Sequence, residues 1–435
     1  MKKIIEKKKE NKKFAKPINI NDLKNFNIKY LKNKAKLMNV ITERTIKKQE
    51  LIIEILKKQI KKNGLIYGEG ILEIIQEEFG FLRETAYNYE PSLDDIYIGP
   101  DQIKKNKLKS GDSIGGYIRL PVSNKEKYCS IYNIKKINGI NTTEMKTKIQ
   151  FDSLIPLYPN KKFILEDNFN NLSARLIDMF CPIGKGQRAL IVSPPKAGKT
   201  VLMQNIANSI VNNNPEVMLF VLLIDERPEE VTDMKRNIKG EVIASTFDES
   251  PYRHIQVAEL LIARAKKLVE NKKDIVILLD SITRLGRAYN SVAPPSGKIL
   301  SGGIDSNALQ KPKRFFGSAR NIESGGSLTI ISTALIETGS KMDEIIFEEF
   351  KGTGNSEIVL DRKLTEKRFF PGLDINKSGT RKEEYLIEKK KLNKIFIIRQ
   401  IMHSLNNVDA IEFIINKLNK TKNNNEFINL IKYKL

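Results

Sequence analysis

The stretch Gln187–Asn205, reading QRALIVSPPKAGKTVLMQN, limits what this chain can fold into more than any other. Ala189–Val192 is a short apolar run, Ser193–Gly198 is rich in turn formers, and Val201–Ala207 has apolar residues at helical spacing. The sequence therefore predicts a strand that enters a tight loop and leaves as a helix. Such a turn aims a row of backbone N–H groups and the positive end of a helix dipole at one point, which is the chemistry of a phosphate-binding loop. The backbone of Lys196, Ala197, Gly198, Lys199 and Thr200 would cradle phosphates, Lys199 would reach the β and γ oxygens, and the Thr200 hydroxyl would bind Mg²⁺. Ser193 stands where G-x-x-x-x-G-K-[ST] has its first glycine, so a chance Gly-Lys-Thr at a helix start competes until further residues are found.

Two acidic residues after apolar runs supply the further residues. Ile275–Leu279 leads into Asp280-Ser281, the layout of a carboxylate that holds Mg²⁺ through its water shell. Val217–Ile224 leads into Asp225-Glu226-Arg227, where Glu226 is placed to polarise an attacking water. A single acid in such a place often only caps a helix, but two downstream of a phosphate loop point to nucleotide hydrolysis. Transition-state charge on the γ-phosphate also needs an arginine, commonly from a neighbouring subunit. Arg381, in SGTRKEE, is the leading candidate, with Arg362 and Arg368 behind it. Apolar runs and helical patterns alternate from Leu172 to about Leu418, which predicts a mainly parallel α/β sheet.

Upstream the texture differs. Met1–Lys16 is a lysine-rich run without periodicity, read as a solvated tail. Residues 17–64 form a helical module, with Asn21 or Asp22 as cap, Ile46, Ile53, Leu56 and Ile60 on one face, and Asn63-Gly64 as stop. Residues 65–151 carry five short β-prone runs punctuated by glycine, the signature of a small oligonucleotide-binding barrel. Within it, Phe79, Phe81 and Arg83 share a strand face, and Gly80 is expected to leave room between the rings. Bases could stack there, with Arg83 reaching a phosphate and Tyr97 and Tyr128 lining the groove; the competing reading makes these rings barrel core. Residues 152–171 read as a linker, and 419–435 as a polar tail.

Charge supports a polyanionic partner: 75 basic against 52 acidic residues give a net +23. Lysine is overused everywhere, however, so part of that charge is compositional drift. No apolar run reaches membrane-spanning length and no apolar segment follows the basic N-terminus, so a cytoplasmic protein without membrane partner is expected. Cys129 and Cys181 lack disulfide or metal spacing. Two glycine-rich segments, Ala293–Gly303 and Glu337–Asp343, each carry one lysine, Lys298 and Lys341, on what should be mobile loops.

Taken together, these residues resemble the Rho family of bacterial transcription termination factors over nearly the whole length. The most specific pieces are PPKAGKT at Pro194–Thr200, LLIDERPEEVT at Leu222–Thr232 and LLDSITRL at Leu278–Leu285. SGKILSGG at Ser296–Gly303, KRFFGSAR at Lys313–Arg320 and TGSKMDE at Thr338–Glu344 are equally telling. The resemblance implies a multidomain α/β chain with a RecA-like motor, acting as a homohexameric, RNA-dependent ATPase and helicase. It would use ATP and Mg²⁺, bind pyrimidine-rich single-stranded RNA, move toward the 3′ end and release the transcript from RNA polymerase.

By motif, the resemblance puts the primary RNA site at Glu78, Phe79, Gly80, Phe81, Leu82, Arg83, Asp95, Ile96, Tyr97, Glu126, Lys127 and Tyr128. Nucleotide contacts would come from Gly184, Lys185, Gly186, Gln187, Arg188 and Ala189, from Lys196 to Val201, and from Arg227, with Phe370 near the base. Lys298 and Lys341 would line a central RNA channel, and Arg381 would act in trans. The loop around Ser123–Lys125 is displaced by about a residue from the family pattern, and Met1–Lys16 has no counterpart. A rotary or export-type ATPase, which would need no stacking barrel, and an RNA-binding protein with a decayed motor are the alternatives. Intact Lys199, Thr200, Glu226, Asp280 and Arg381 speak against the second.

Overall fold

A computed structural model of the protein describes residues 17–40, 46, 48–62, 64–75, 78–121, 126–144, 149–166 and 171–430. The basic run Met1–Lys16 and the displaced loop at Ser123–Lys125 lie outside the described residues. The chain divides into two compact units, residues 1–147 and 148–435.

In the first unit, strands Ile66–Ile75, Phe79–Arg83, Ile96–Ile98, Cys129–Ile137 and Ser113–Arg119 are neighbours in that order, and Ser113–Arg119 returns to pair with Ile66–Ile75. The sheet therefore closes into the expected five-stranded barrel. Gly116 sits where two strands approach closely, since a Cβ there would lie 2.3 Å from the Asn133 carbonyl oxygen, while Gly68 and Gly115 make room for the side chains of Ile96 and Tyr67. Three helices precede the barrel, at Ile20–Asn25, Ile28–Leu37 and Lys48–Lys61. The first is capped by Asn19, which accepts the Asn21 N–H, rather than by Asn21 or Asp22. Leu23, Leu31, Leu51, Ile55 and Leu56 join Leu72, Leu82, Ile96 and Ile98 in one core, so helices and barrel are a single packed body. On the third helix the buried rows are Leu51-Ile55-Gln59 and Ile52-Leu56, while Ile53 and Ile60 are each 43% exposed. The i, i+4 rows outcompete the seven-residue spacing read from the sequence because two adjacent rows bury more area against a curved barrel wall.

The second unit is built on a parallel sheet in the order Glu241–Thr246, Met218–Glu226, Asp274–Asp280, Ser327–Leu335, Arg188–Ser193, Ser356–Val359. Helices cover these strands, which is why they read as unbroken apolar runs. Residues 152–166 are packed onto this unit rather than free: Pro156–Leu157 pairs with Asn321–Ile322, and Phe163 and Leu165 are fully buried. The polar stretch after Leu418 is held as well. The Arg175 guanidinium, fully buried, donates to the Leu418 and Thr421 carbonyls and to Asn424, which seats Phe427 and Ile428 in the core. Polar anchoring of this kind leaves little hydrophobic signal in the sequence. None of the described helices is long and apolar enough to cross a membrane.

Candidate functional site

The strand Arg188–Ser193 runs into the predicted loop, and Gly198 caps the helix Lys199–Asn213. Gly198 has φ 83°, and a Cβ added to it would meet nothing within 4 Å, so glycine is required there for conformation, not space. The first residue of the helix, Lys199, places its ammonium 2.6 Å from Asp280 Oδ1 and 3.2 Å from Glu226 Oε1. Strand register explains why the two acids meet. Leu223 lies opposite Asp280 on the neighbouring strand, and a bulge at Asp225, with φ 57°, shifts the pairing between Ile224 and Glu226. The extra residue turns Glu226 away from the face of Ile224 and onto that of Leu223 and Asp280. Asp280, 1% exposed, also accepts the Thr333 hydroxyl at 2.7 Å from the next strand.

Burial raises the pKa of Glu226 and the Asp280 charge adds to this, while Lys199 and Arg284 oppose it. Burial would lower the Lys199 pKa, but the two carboxylates outweigh it and hold the amine charged. Sequence reasoning gave no role to Arg284, whose guanidinium bonds the Asp225 carboxylate at 2.8 Å and its carbonyl, with Nε 3.7 Å from Glu226. Its position four residues after Asp280, on the first turn of the helix Ile282–Val292, was the available signal. Thr333 and the Asp225 bulge had none, since both depend on strand register.

Thr200 follows Lys199 on the first helical turn; Val201 and Arg227 are exposed, and Phe370 is 55% exposed. Phe370 follows a helix, Arg362–Glu366, whose Thr365 hydroxyl reaches the Lys196 carbonyl at 3.5 Å. Gly184–Ala189 is placed elsewhere. It enters the strand at the end opposite the phosphate loop, roughly 16 Å away at 3.3 Å per residue, and its groups are used internally. Gly186 N–H donates to Thr329, Lys185 pairs with Asp274 and Glu216, and Gln187 and Arg188 N–H both reach Asn355 Oδ1. The Asn355 carbonyl accepts the N–H of Arg381 at 2.9 Å. Within one chain, then, Gly184–Ala189 lies with Arg381 and not with Lys199. The Arg188 pKa is lowered by burial and by the charges of Arg320 and Arg381, which marks this edge as strongly cationic.

On the barrel, Phe79, Phe81, Tyr97 and Tyr128 form one half-buried aromatic cluster. Ring centroids are 6.0 Å apart for Phe79–Phe81, 5.9 Å for each with Tyr97, and 4.8 Å for Phe81–Tyr128. Leu82 and Ile96 face the core instead, and so does Gly80, whose added Cβ would meet Leu72 at 2.6 Å rather than fill space between the rings. Strand alternation requires this, because residue 80 points opposite to 79 and 81. Arg83 is also inside: its guanidinium pairs with Glu73 at 2.6 Å and with Asp95, and lies 5.2 Å from the Phe81 ring centroid. Glu78, Glu126 and Lys127 are exposed, and Glu126 pairs with Arg119 at 3.3 Å.

The two glycine-rich segments meet. Gly302 sits against the backbone of Lys341 and Met342, where an added Cβ would come within 3.1 Å. Arg287, on the helix that follows Asp280, grips Asp343 through two bonds of 2.7 and 2.6 Å. Lys298 and Lys341 are both exposed on this joint structure.

Residues 68–143 match the RNA-binding domain of the Rho termination factor, and residues 173–380 match the nucleotide-binding domain of the ATP synthase alpha/beta family. Transcription termination factor Rho of Pseudomonas aeruginosa is 54% identical over 420 residues, covering 96% of this chain and 100% of that protein. The Salmonella typhimurium protein of the same name is 53% identical over 418 residues, covering 95% and 100%. This chain belongs to the Rho family of transcription termination factors. Its motor shares the fold of a prototypical type III secretion ATPase, with a TM-score of 0.54 and 21% identity over 64% of this chain and 86% of that one. Barrel and motor of this Rho-family chain therefore match separate families, and its motor is that of an ATP hydrolase.

Proposed function

We propose that the chain couples ATP hydrolysis to movement along single-stranded RNA in a homohexameric ring in the cytoplasm, acting on transcripts held by RNA polymerase. One observation carries the reading: the strand that bears Thr333 at the nucleotide site leads directly into the segment that exposes Lys341, the strand that bears Asp280 leads through the helix Ile282–Val292 into the segment that exposes Lys298, and the two segments meet. The same chain presents four clustered rings on its barrel. In this scheme Phe79, Phe81, Tyr97 and Tyr128 stack bases, with a preference for pyrimidine-rich, unstructured RNA. Lys199 neutralises the β and γ oxygens, and Glu226 takes a proton from the attacking water. Arg381, on the edge opposite the phosphate loop, serves the nucleotide of a neighbouring copy, and Gly184–Ala189 approaches that same nucleotide from outside. Thr200 and Asp280 are hard oxygen donors suited to Mg²⁺, which needs only one or two protein ligands beside phosphates and water, and which would supply charge neutralisation.

The test is steady-state ATP hydrolysis by the full chain with and without cytidine-rich RNA. Strong stimulation is expected, lost in Arg381→Ala and shifted to higher RNA concentration in Phe81→Ala by about 1–3 kcal/mol of binding. Hydrolysis indifferent to RNA would refute the reading in favour of a rotary or export-type ATPase.

A further inference from the structure

Arg381 has no ion-pair partner among the described residues, yet the backbone on both sides of it is fixed. Before it, the Thr380 hydroxyl donates to the Pro182 carbonyl at 2.8 Å, and the Arg381 N–H donates to the Asn355 carbonyl. After it comes Lys382, with φ 56°, a left-handed conformation that a side chain with Cβ disfavours. This turn starts the short helix Glu383–Tyr385, which brings Tyr385 back toward Lys382. Tyr158 approaches from a different segment, and the two tyrosine rings lie 6.3 Å apart at 28°. The Lys382 ammonium sits 3.7 Å from the Tyr158 centroid and 5.8 Å from that of Tyr385. Gly184 is the base of the arrangement, since a Cβ there would lie 2.8 Å from Pro159 and 2.7 Å from Leu386. The tyrosines are nevertheless 61% and 52% exposed, so they are not core residues that the fold requires.

We infer that Tyr158, Tyr385 and Lys382 form a cation–π clamp that positions Arg381 for its action on a neighbouring subunit's nucleotide. This deepens the reading of Arg381 given above and rests on it. Lys382 is a long, flexible side chain next to the finger. Left free, it would let the turn relax and would compete as a second mobile cation near the same phosphates. Held against the face of Tyr158 with Tyr385 at its side, it is turned away from Arg381, which stays exposed and without an ion pair among the described residues just before the left-handed turn. A cation on the face of one partly exposed ring and beside a second is a modest interaction, of the size that changes a rate by up to about tenfold.

The experiment compares hydrolysis at saturating cytidine-rich RNA for Tyr158→Leu/Tyr385→Leu, Tyr158→Phe/Tyr385→Phe, Lys382→Arg, Lys382→Gly and Arg381→Ala, with ring assembly followed by sedimentation. The double Leu variant keeps apolar volume but removes the π faces; it should lose about tenfold in kcat with KM for ATP, RNA affinity and assembly unchanged. Lys382→Gly, which relieves the backbone conformation but removes the cation, should lose as much. The double Phe variant and Lys382→Arg should retain activity. Equal activity of the Leu and Phe variants, with Arg381→Ala inactive, would overturn the clamp and leave the finger standing. Disassembly of the Leu variant would assign the tyrosines to subunit packing instead and overturn it too. Full activity of Arg381→Ala would overturn both the finger and the clamp.

Discussion

Replacing Arg83 with Ala tests whether its guanidinium faces RNA or supports the platform from beneath. A phosphate ligand should be reachable from solvent, but Arg83 is 4% exposed and pairs with Glu73 and with Asp95, itself 3% exposed. Burial raises the Asp95 pKa, and the Ser92 N–H at 2.8 Å and the Arg83 charge work against that rise. Without Arg83, two carboxylates lose their shared cation in a confined site, and removing one member of a buried pair costs about 3–5 kcal/mol. The chain has no tryptophan to report on the barrel, so amide hydrogen exchange by mass spectrometry is the suitable assay. Exchange across Phe79–Arg83 should accelerate by about 10²–10⁴-fold in Arg83→Ala. Asp95→Ala breaks the same pair, so the two losses should not add. RNA affinity should fall because Phe81 loses its support, while the slope of log affinity against log salt stays the same. Had Arg83 touched a phosphate, that slope would shrink by about 0.7. Unchanged exchange together with a shallower salt slope would refute the buttress.

Lys199→Ala removes the amine between Asp280 and Glu226 and should cut ATP hydrolysis by at least about 10²–10³-fold, with RNA binding to the barrel intact in a filter-binding assay; joint loss would contradict separate sites. Glu226 must be ionised to act as base, and burial and Asp280 raise its pKa above the usual 4.5; the pH profile of kcat should therefore fall on acidification at a higher pH than an ordinary glutamate would give, with no such limb left in Glu226→Gln. His254 is buried, with Nδ1 2.7 Å from the Ser245 hydroxyl, and burial lowers its pKa from 6.5. The unfolded chain then binds more protons, so its contribution to stability is present above about pH 6.5 and lost as pH falls below that; urea midpoints at pH 7.5 and 5.5 should converge in His254→Gln.

Much of the motor could be read in advance because its chemistry is written in contiguous words. A strand, a turn and a helix within Gln187–Asn205 define the phosphate loop, and Asp280 and Glu226 each close an apolar run. What stayed hidden depends on register between distant strands: the Asp225 bulge that turns Glu226, the Thr333 hydroxyl on Asp280, and the Asn355 bridge from Arg188 to Arg381. On the barrel, period-two alternation correctly gathers Phe79 and Phe81, and it also shows why Gly80 and Leu82 must face inward. Arg83 shares the ring face by the same alternation, but Glu73 and Asp95, which draw it under the rings, come from other positions in the chain. Hydrophobic pattern likewise could not reveal that 152–166 and 419–430 are packed, because their ties are a two-residue strand pairing and the polar contacts of Arg175.

The joint between the two lysine-bearing segments bears on how force could pass from nucleotide to RNA. The helix Ile282–Val292 starts two residues after Asp280 and carries Arg287, whose paired bonds to Asp343 fix the start of the helix Lys341–Lys351. Thr338 adds a bond to the same carboxylate at 2.6 Å, and Asp343 is nearly inaccessible to solvent. Gly302 closes the contact from the other segment. A displacement of the strand end at Asp280 would therefore reach Lys298 through its own helix and Lys341 through Arg287, two routes that converge on one rigid joint. The segments joined in this way cannot move independently without opening the Gly302 contact and the bidentate Arg287–Asp343 pair, whose carboxylate is buried and whose guanidinium is partly exposed. The geometry accordingly favours Lys298 and Lys341 moving as a unit; under the proposed function, each hydrolysis event would then shift one composite grip on the phosphate backbone instead of two separate fingers.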